Sequence, residues 1–167
     1  MDDRKKITEE KNMVGDSRKD AGEGIHVDAL LREGRTVQLG PQGYSMYPLL
    51  VPGRDQVVIS PAKQPEYRRG DVVLYRRKGS ILVLHRIWKR TPEGYYLVGD
   101  NQKEIEGPVG REQILGVMTM VLRRGKKIPV ENAVYRTLAW LWLMLRPWRP
   151  FLSHFVAGIK GFFMKSN

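Results

Sequence analysis

The sequence predicts a mainly β domain, preceded by a short helix and followed by a helical tail, and three observations carry that prediction. Between residues 35 and 125, the runs RTVQLG, DQVVIS, DVVLYRR, SILVLHRIW, GYYLVG and QILGVMTMVLRRG are short and rich in β-branched and aromatic residues. The turn signals VPGRD, YRRGD, RKGS and TPEG separate them, as expected of strands joined by tight connections. Just upstream, IHVDALLREG places Val27, Leu30 and Leu31 on one helical face and ends it at Gly34. Downstream, AVYRTLAWLWLMLRPWRPFLSHFVAGIKGFF is apolar at helical spacing. Pro147 and Pro150 each remove a backbone donor and disfavour helix in the preceding residue, so this tail reads as two helices broken at RPWRP.

A chain of 167 residues has room for one ordinary domain and a short appendage. Residues 1–23 carry six cationic and seven acidic side chains and almost nothing apolar, which predicts a flexible arm unable to offset the entropy of ordering. Residues 24–130 form the predicted β domain and residues 131–167 the basic, aromatic tail. No uninterrupted apolar stretch occurs before residue 24, so a secretory signal is not expected and the expected location is cytoplasmic, peripheral on the inner membrane face.

Cysteine is absent, which excludes disulfides, thiolate metal sites and cysteine nucleophiles; neither a metal nor another cofactor is implied. The formal charge of +11 favours an anionic partner. From Arg123 onward nine cations face Glu131 alone, and aromatics beside Arg and Lys suit an interfacial helix on an anionic membrane surface. A helical cap on the β domain, or a face for a protein partner, is the plainer reading of residues 131–167. Nucleic acid is disfavoured, because Arg and aromatic residues do not interleave on the β domain itself.

The chemistry turns on Ser45 in GYSMYPLL. A serine hydroxyl is a poor nucleophile near neutral pH. It needs a base within reach, a group that orients the base, and donors for the developing oxyanion. Of the three histidines, His85 is unusual: strand alternation in ILVLHRIW sets it on the face of Ile81, Val83 and Ile87, where burial would keep the imidazole neutral. A lone histidine of this kind is more often satisfied by a core carbonyl. Further on, Gly99-Asp100-Asn101 is a turn able to aim a carboxylate at the preceding strand, with Glu104 and Glu106 just beyond. Asp100 could equally bond its own turn amides.

Taken in order, GYSMYPLLVPGRDQVVI, RRGDVVLYRR, LVLHRI and YYLVGDNQ resemble the boxes of the signal-peptidase and LexA-like superfamily of serine endopeptidases over roughly residues 35–125. The matches are Ser45, Met46 and Pro48; Arg69, Gly70, Asp71 and Val72; His85 and Arg86; and Gly99, Asp100 and Asn101. The resemblance is to the histidine-using branch, in a short bacterial form without an N-terminal membrane anchor. It implies coiled antiparallel sheets, Ser45 as nucleophile and His85 as base. That branch carries a second aspartate after its G-D-N box, where this chain has QKEIEG, so Asp100 or Glu106 is the implied orienting acid. Gly43 and Tyr44 stand where small or hydroxyl residues usually precede the nucleophile, which leaves the Ser45 amide to hold the oxyanion.

The expected function is thus a serine endopeptidase that cuts an extended peptide or protein segment, small side chains flanking the bond. Repressor-type relatives cut themselves at Ala-Gly, and Ala21-Gly22 lies on the arm. The alternative is a non-catalytic peptide-binding or regulatory module of the same fold, its tail docked on a membrane or partner.

Overall fold

A computed structural model describes residues 27–78 and 81–146. The charged arm of residues 1–23 and the second tail helix lie outside these residues, as does the end of the RKGS turn. The helix α1, Val27–Arg32, stops where Gly34 takes φ +84°; the Gly34 N–H donates to Leu31 O at 3.1 Å and the Arg35 N–H to Leu30 O at 2.9 Å. Glycine is favoured there because a side chain in this left-handed conformation would crowd its own backbone.

Eight strands follow: β1 Val37–Leu39, β2 Asp55–Pro61, β3 Val72–Arg76, β4 Leu82–Thr91, β5 Gly94–Val98, β6 Glu106–Val109, β7 Ile114–Arg123 and β8 Lys126–Pro129. A single 3-10 turn, Arg111–Gln113, precedes β7, and the helix α2, Ala133–Met144, follows β8. The sheet is antiparallel in the order β1-β2-β7-β3-β4-β5-β6, and β8 pairs with the far end of β7. The mainly β expectation holds, and each of the six segments read as strands forms one. The short β6 and β8 were not foreseen. Glu106-Gly-Pro-Val has little β propensity, and Lys126-Lys-Ile-Pro reads as the continuation of a basic turn. Both are recruited by pairing with a strand already in place.

Register shifts at Val58/Ile59, Leu74/Tyr75, Ile87/Lys89 and Tyr95/Leu97 interrupt the ladders. Each extra residue bends its strand and increases local twist, so the sheet curls instead of lying flat. Two cores result. Val72 and Leu74 of β3 face one, with Leu31, Met46, Leu50, Val57 and Ile59; Val73 and Tyr75 face the other, with Ile87, Tyr95, Leu97 and Val109. β3 is therefore buried on both sides, which explains why its sequence is a continuous apolar run and not an alternating one.

At Gly116 of β7 an added Cβ would lie 2.5 Å from Ile59 Cγ2 and 2.8 Å from Ser60 O. β2 can relieve this contact only by moving its backbone. Gly116→Ala is expected to cost about 1–3 kcal/mol, the usual range for an overpacked core. A urea melt should show a lower midpoint at unchanged slope.

Candidate active site

The four motif segments, scattered through the sequence, are joined by main-chain contacts. Ser45 lies in a turn pinned by Met46 and Leu50, which are buried in the first core, and its carbonyl accepts the Asn101 N–H at 2.7 Å. Gly99 explains how these chains come so close: a Cβ there would lie 2.7 Å from Ser45 O and 2.7 Å from Gln102 Oε1. On the other side, the Gly70 N–H donates to Ile87 O at 2.9 Å and the Ile87 N–H to Asp71 O at 2.8 Å. The Asp71 carboxylate accepts the Arg68 N–H at 2.8 Å and closes that turn, while exposed Arg69 stacks on the Trp88 ring at 4.3 Å. Pro48 follows a cis peptide bond, and exposed Gly43 has φ +70°.

His85 and Arg86, adjacent on β4 and each only 1 % exposed, point to opposite faces and take different carboxylates. Arg86 forms a forked ion pair with Asp100, Nε to Oδ1 at 2.8 Å and Nη2 to Oδ2 at 2.7 Å, and its Nη1 donates to Gly70 O at 2.7 Å. From α2, the Trp142 indole N–H donates to Asp100 O at 2.8 Å. Burial works against the Arg86 charge, but Asp100 more than compensates and raises the Arg86 pKa. Asp100 is thereby a structural partner of Arg86 beneath α2.

Glu106 is the carboxylate that reaches the histidine, with His85 Nδ1 at 3.5 Å from Glu106 Oε1 and 3.4 Å from the Tyr75 hydroxyl. Tyr75 donates to Glu106 Oε2 at 2.6 Å and Arg77 Nε donates to the same oxygen at 2.9 Å, with Arg77 Nη2 on Oε1. Tyr75 and His85 are diagonal neighbours, because Tyr75 pairs with Val83 and Val73 with His85. Glu106 arrives from β6, two strands beyond β4, over the curl of the sheet. Tyr75 and Arg77 lie in the RRGDVVLYRR segment but beyond the Arg69–Val72 positions that the resemblance singles out. The available signal was the alternation of β3, which sets Tyr75 on the side of Val73 and hence of His85.

The electrostatics of this cluster favour a neutral histidine against a charged acid. Burial depresses the His85 pKa, and the Glu106 charge only partly restores it. Burial pushes Glu106 up, but hydrogen bonds from Tyr75 and Arg77 outweigh it and hold Glu106 below the usual carboxylate range. Tyr75, raised by burial and by its bond to Glu106, stays protonated and donates. Its one proton is spent on Glu106, so Nδ1 faces two acceptors and the Nδ1–H tautomer follows from that environment. Nε2 is left as the basic nitrogen.

Among the described residues no hydrogen bond joins Ser45 Oγ to His85, whose Nδ1 faces Tyr75 and Glu106. Glu104 is exposed. The cluster therefore sets a neutral imidazole against an ionised carboxylate. Comparison with protein-family models, characterised proteins and solved structures finds no match to this chain.

An NMR titration of the His85 ring should give a midpoint below the ordinary 6.5. In Glu106→Gln the midpoint should fall further, because the charge that favours imidazolium is gone; a rise would contradict the assignment. Below 6.5 the unfolded chain binds the proton that folded His85 resists, so this contribution to stability is present above 6.5 and lost as pH falls toward the folded value. Asp100→Asn, which strands Arg86 in the core, should lower unfolding free energy by about 3–5 kcal/mol. Denaturant melts should show a smaller loss for Glu106→Gln, whose side chain is partly solvated.

Proposed function

We propose that the protein is a serine endopeptidase of the signal-peptidase-like type, working inside the cell on an extended peptide segment. The observation that carries this reading is the set of Tyr75, Glu106 and Arg77 behind His85 Nδ1, which leaves a neutral imidazole with a basic Nε2. A histidine with only a packing role has no need of a carboxylate held ionised at its back by two donors. The order of the serine, R-G-D, histidine and G-D-N segments supports the same reading.

In this mechanism Ser45 Oγ attacks the peptide carbonyl as its proton passes to His85 Nε2. Glu106 stabilises the imidazolium through Nδ1, and the Ser45 amide donates to the oxyanion. Collapse breaks the C–N bond, and the leaving amine takes the proton from Nε2. Water, deprotonated by the same nitrogen, then hydrolyses the acyl-serine. A second reading, a peptide-binding or regulatory module without catalysis, is favoured by one observation: His85 is 1 % exposed and not bonded to Ser45.

A serine-directed phosphonate probe separates the two. Labelling of Ser45 that disappears in His85→Ala and falls steeply in Glu106→Gln is the expected result, together with peptide cleavage abolished in Ser45→Ala. Folded protein that never labels, or cleavage that survives Ser45→Ala, leaves the module.

A further inference from the structure

The helix α2 has two faces of different fate. Ala139 and Leu143 are buried against the domain, Tyr135 packs on the first core, and Trp142 holds Asp100 O from that side. The opposite face is apolar and open: Val134 is 67 % exposed, Leu138 53 % and Trp140 59 %, with Leu141, Met144 and Leu145 also exposed. Val134, Leu138, Leu141 and Leu145 follow one another at helical spacing and form a single ridge, which Trp140 and Met144 widen. A helix that merely capped the domain would carry polar residues there.

The charge around this ridge selects its occupant. The one charged residue within α2 is Arg136, exposed and one turn before Trp140. The hairpin leading to the helix exposes Arg124, Lys126 and Lys127, and Glu131 is the one acidic residue between Arg123 and Arg146. A second copy docked through the same ridge brings the same cations, with Glu131 alone set against them. A convex apolar ridge bordered by cations is complementary to a fluid layer with anionic headgroups, where apolar insertion and charge attraction add.

We propose that the outer face of α2 docks on an anionic phospholipid surface and lies in its plane. No helix among the described residues is long and apolar enough to cross a membrane. The inner face of the same helix is bonded to the loop after β5 through Trp142 to Asp100 O, and Arg146, just past the helix, bonds Lys103 O. Docking would therefore hold the candidate active site at a set height above the lipid.

The test uses the full chain with vesicles of phosphatidylglycerol in phosphatidylcholine and of phosphatidylcholine alone, read by co-sedimentation and tryptophan emission. Binding to the anionic vesicles is expected, weakened by salt and by omission of phosphatidylglycerol. Arg136→Glu should weaken it roughly thirtyfold, from about 1 kcal/mol for each of the two charge units changed. Leu138→Asp with Leu141→Asp should weaken it roughly a hundredfold or more through lost insertion and added repulsion. These exposed positions should leave thermal unfolding nearly unchanged, and Trp140→Phe should remove most of the emission blue shift. Equal binding to both vesicle types, or none to either, overturns the proposal. So does lipid binding that the double variant retains, which would place the contact elsewhere in the chain, or a lipid-free dimer that the double variant dissociates.

Discussion

The Arg86–Asp100 pair is the constraint on which the rest of the site depends. Both side chains are withdrawn from water, which costs several kcal/mol per ion unless geometry and additional hydrogen bonds compensate. Here the compensation is nearly complete. Two parallel bonds join guanidinium to carboxylate, and the third guanidinium nitrogen is satisfied by Gly70 O. The pair clamps the R-G-D turn to β4 and the G-D-N turn to both, and the Trp142 bond ties α2 to the same point. Because the Asn101 amide holds Ser45 O, the serine turn is positioned by the same assembly.

Alternation along β4 then gives adjacent residues separate duties. Arg86 faces the structural pair, whereas His85 faces Tyr75 and Glu106. Each takes a carboxylate of its own, and each carboxylate also holds an arginine. With two, Asp100 neutralises the buried guanidinium, and Glu106 remains available to Nδ1 while Tyr75 and Arg77 keep it ionised. Arg77 also acts against protonation of His85, as burial does. The imidazole is thus kept neutral by its surroundings and given a partner that would stabilise the charged form if a proton arrived. That combination suits a general base in the proposed mechanism.

Much of this is legible in the sequence. The strand runs, the turn glycines at 34, 53 and 70, and the apolar helix that follows the sheet all reflect local patterns of residue size, polarity and backbone freedom. His85 stood out by its place in an apolar alternation, and its burial agrees with that placement. Ile81 and Leu82, on the same apolar run, are instead exposed, because they lie at the very start of β4, where its pairing with the last residue of β3 begins. The strands β6 and β8 escaped notice because their residues have weak preferences of their own and take their form from a neighbour.

By itself the sequence determined a mainly β chain, the order of its chemically suggestive segments, and the presence of a serine, a histidine and two acids that could act together. Only the tertiary structure sets Glu106 beside His85 and Asp100 against Arg86. Side-chain alternation is a local rule that reveals that His85 and Arg86 face apart, but not which distant loop returns to which face. That assignment depends on β6 pairing with β5, on the curl that brings Glu106 over to Tyr75 and Arg77, and on Asp100 being closed beneath α2. These are contacts between residues far apart in the chain, and their energies arise only when the sheet is assembled.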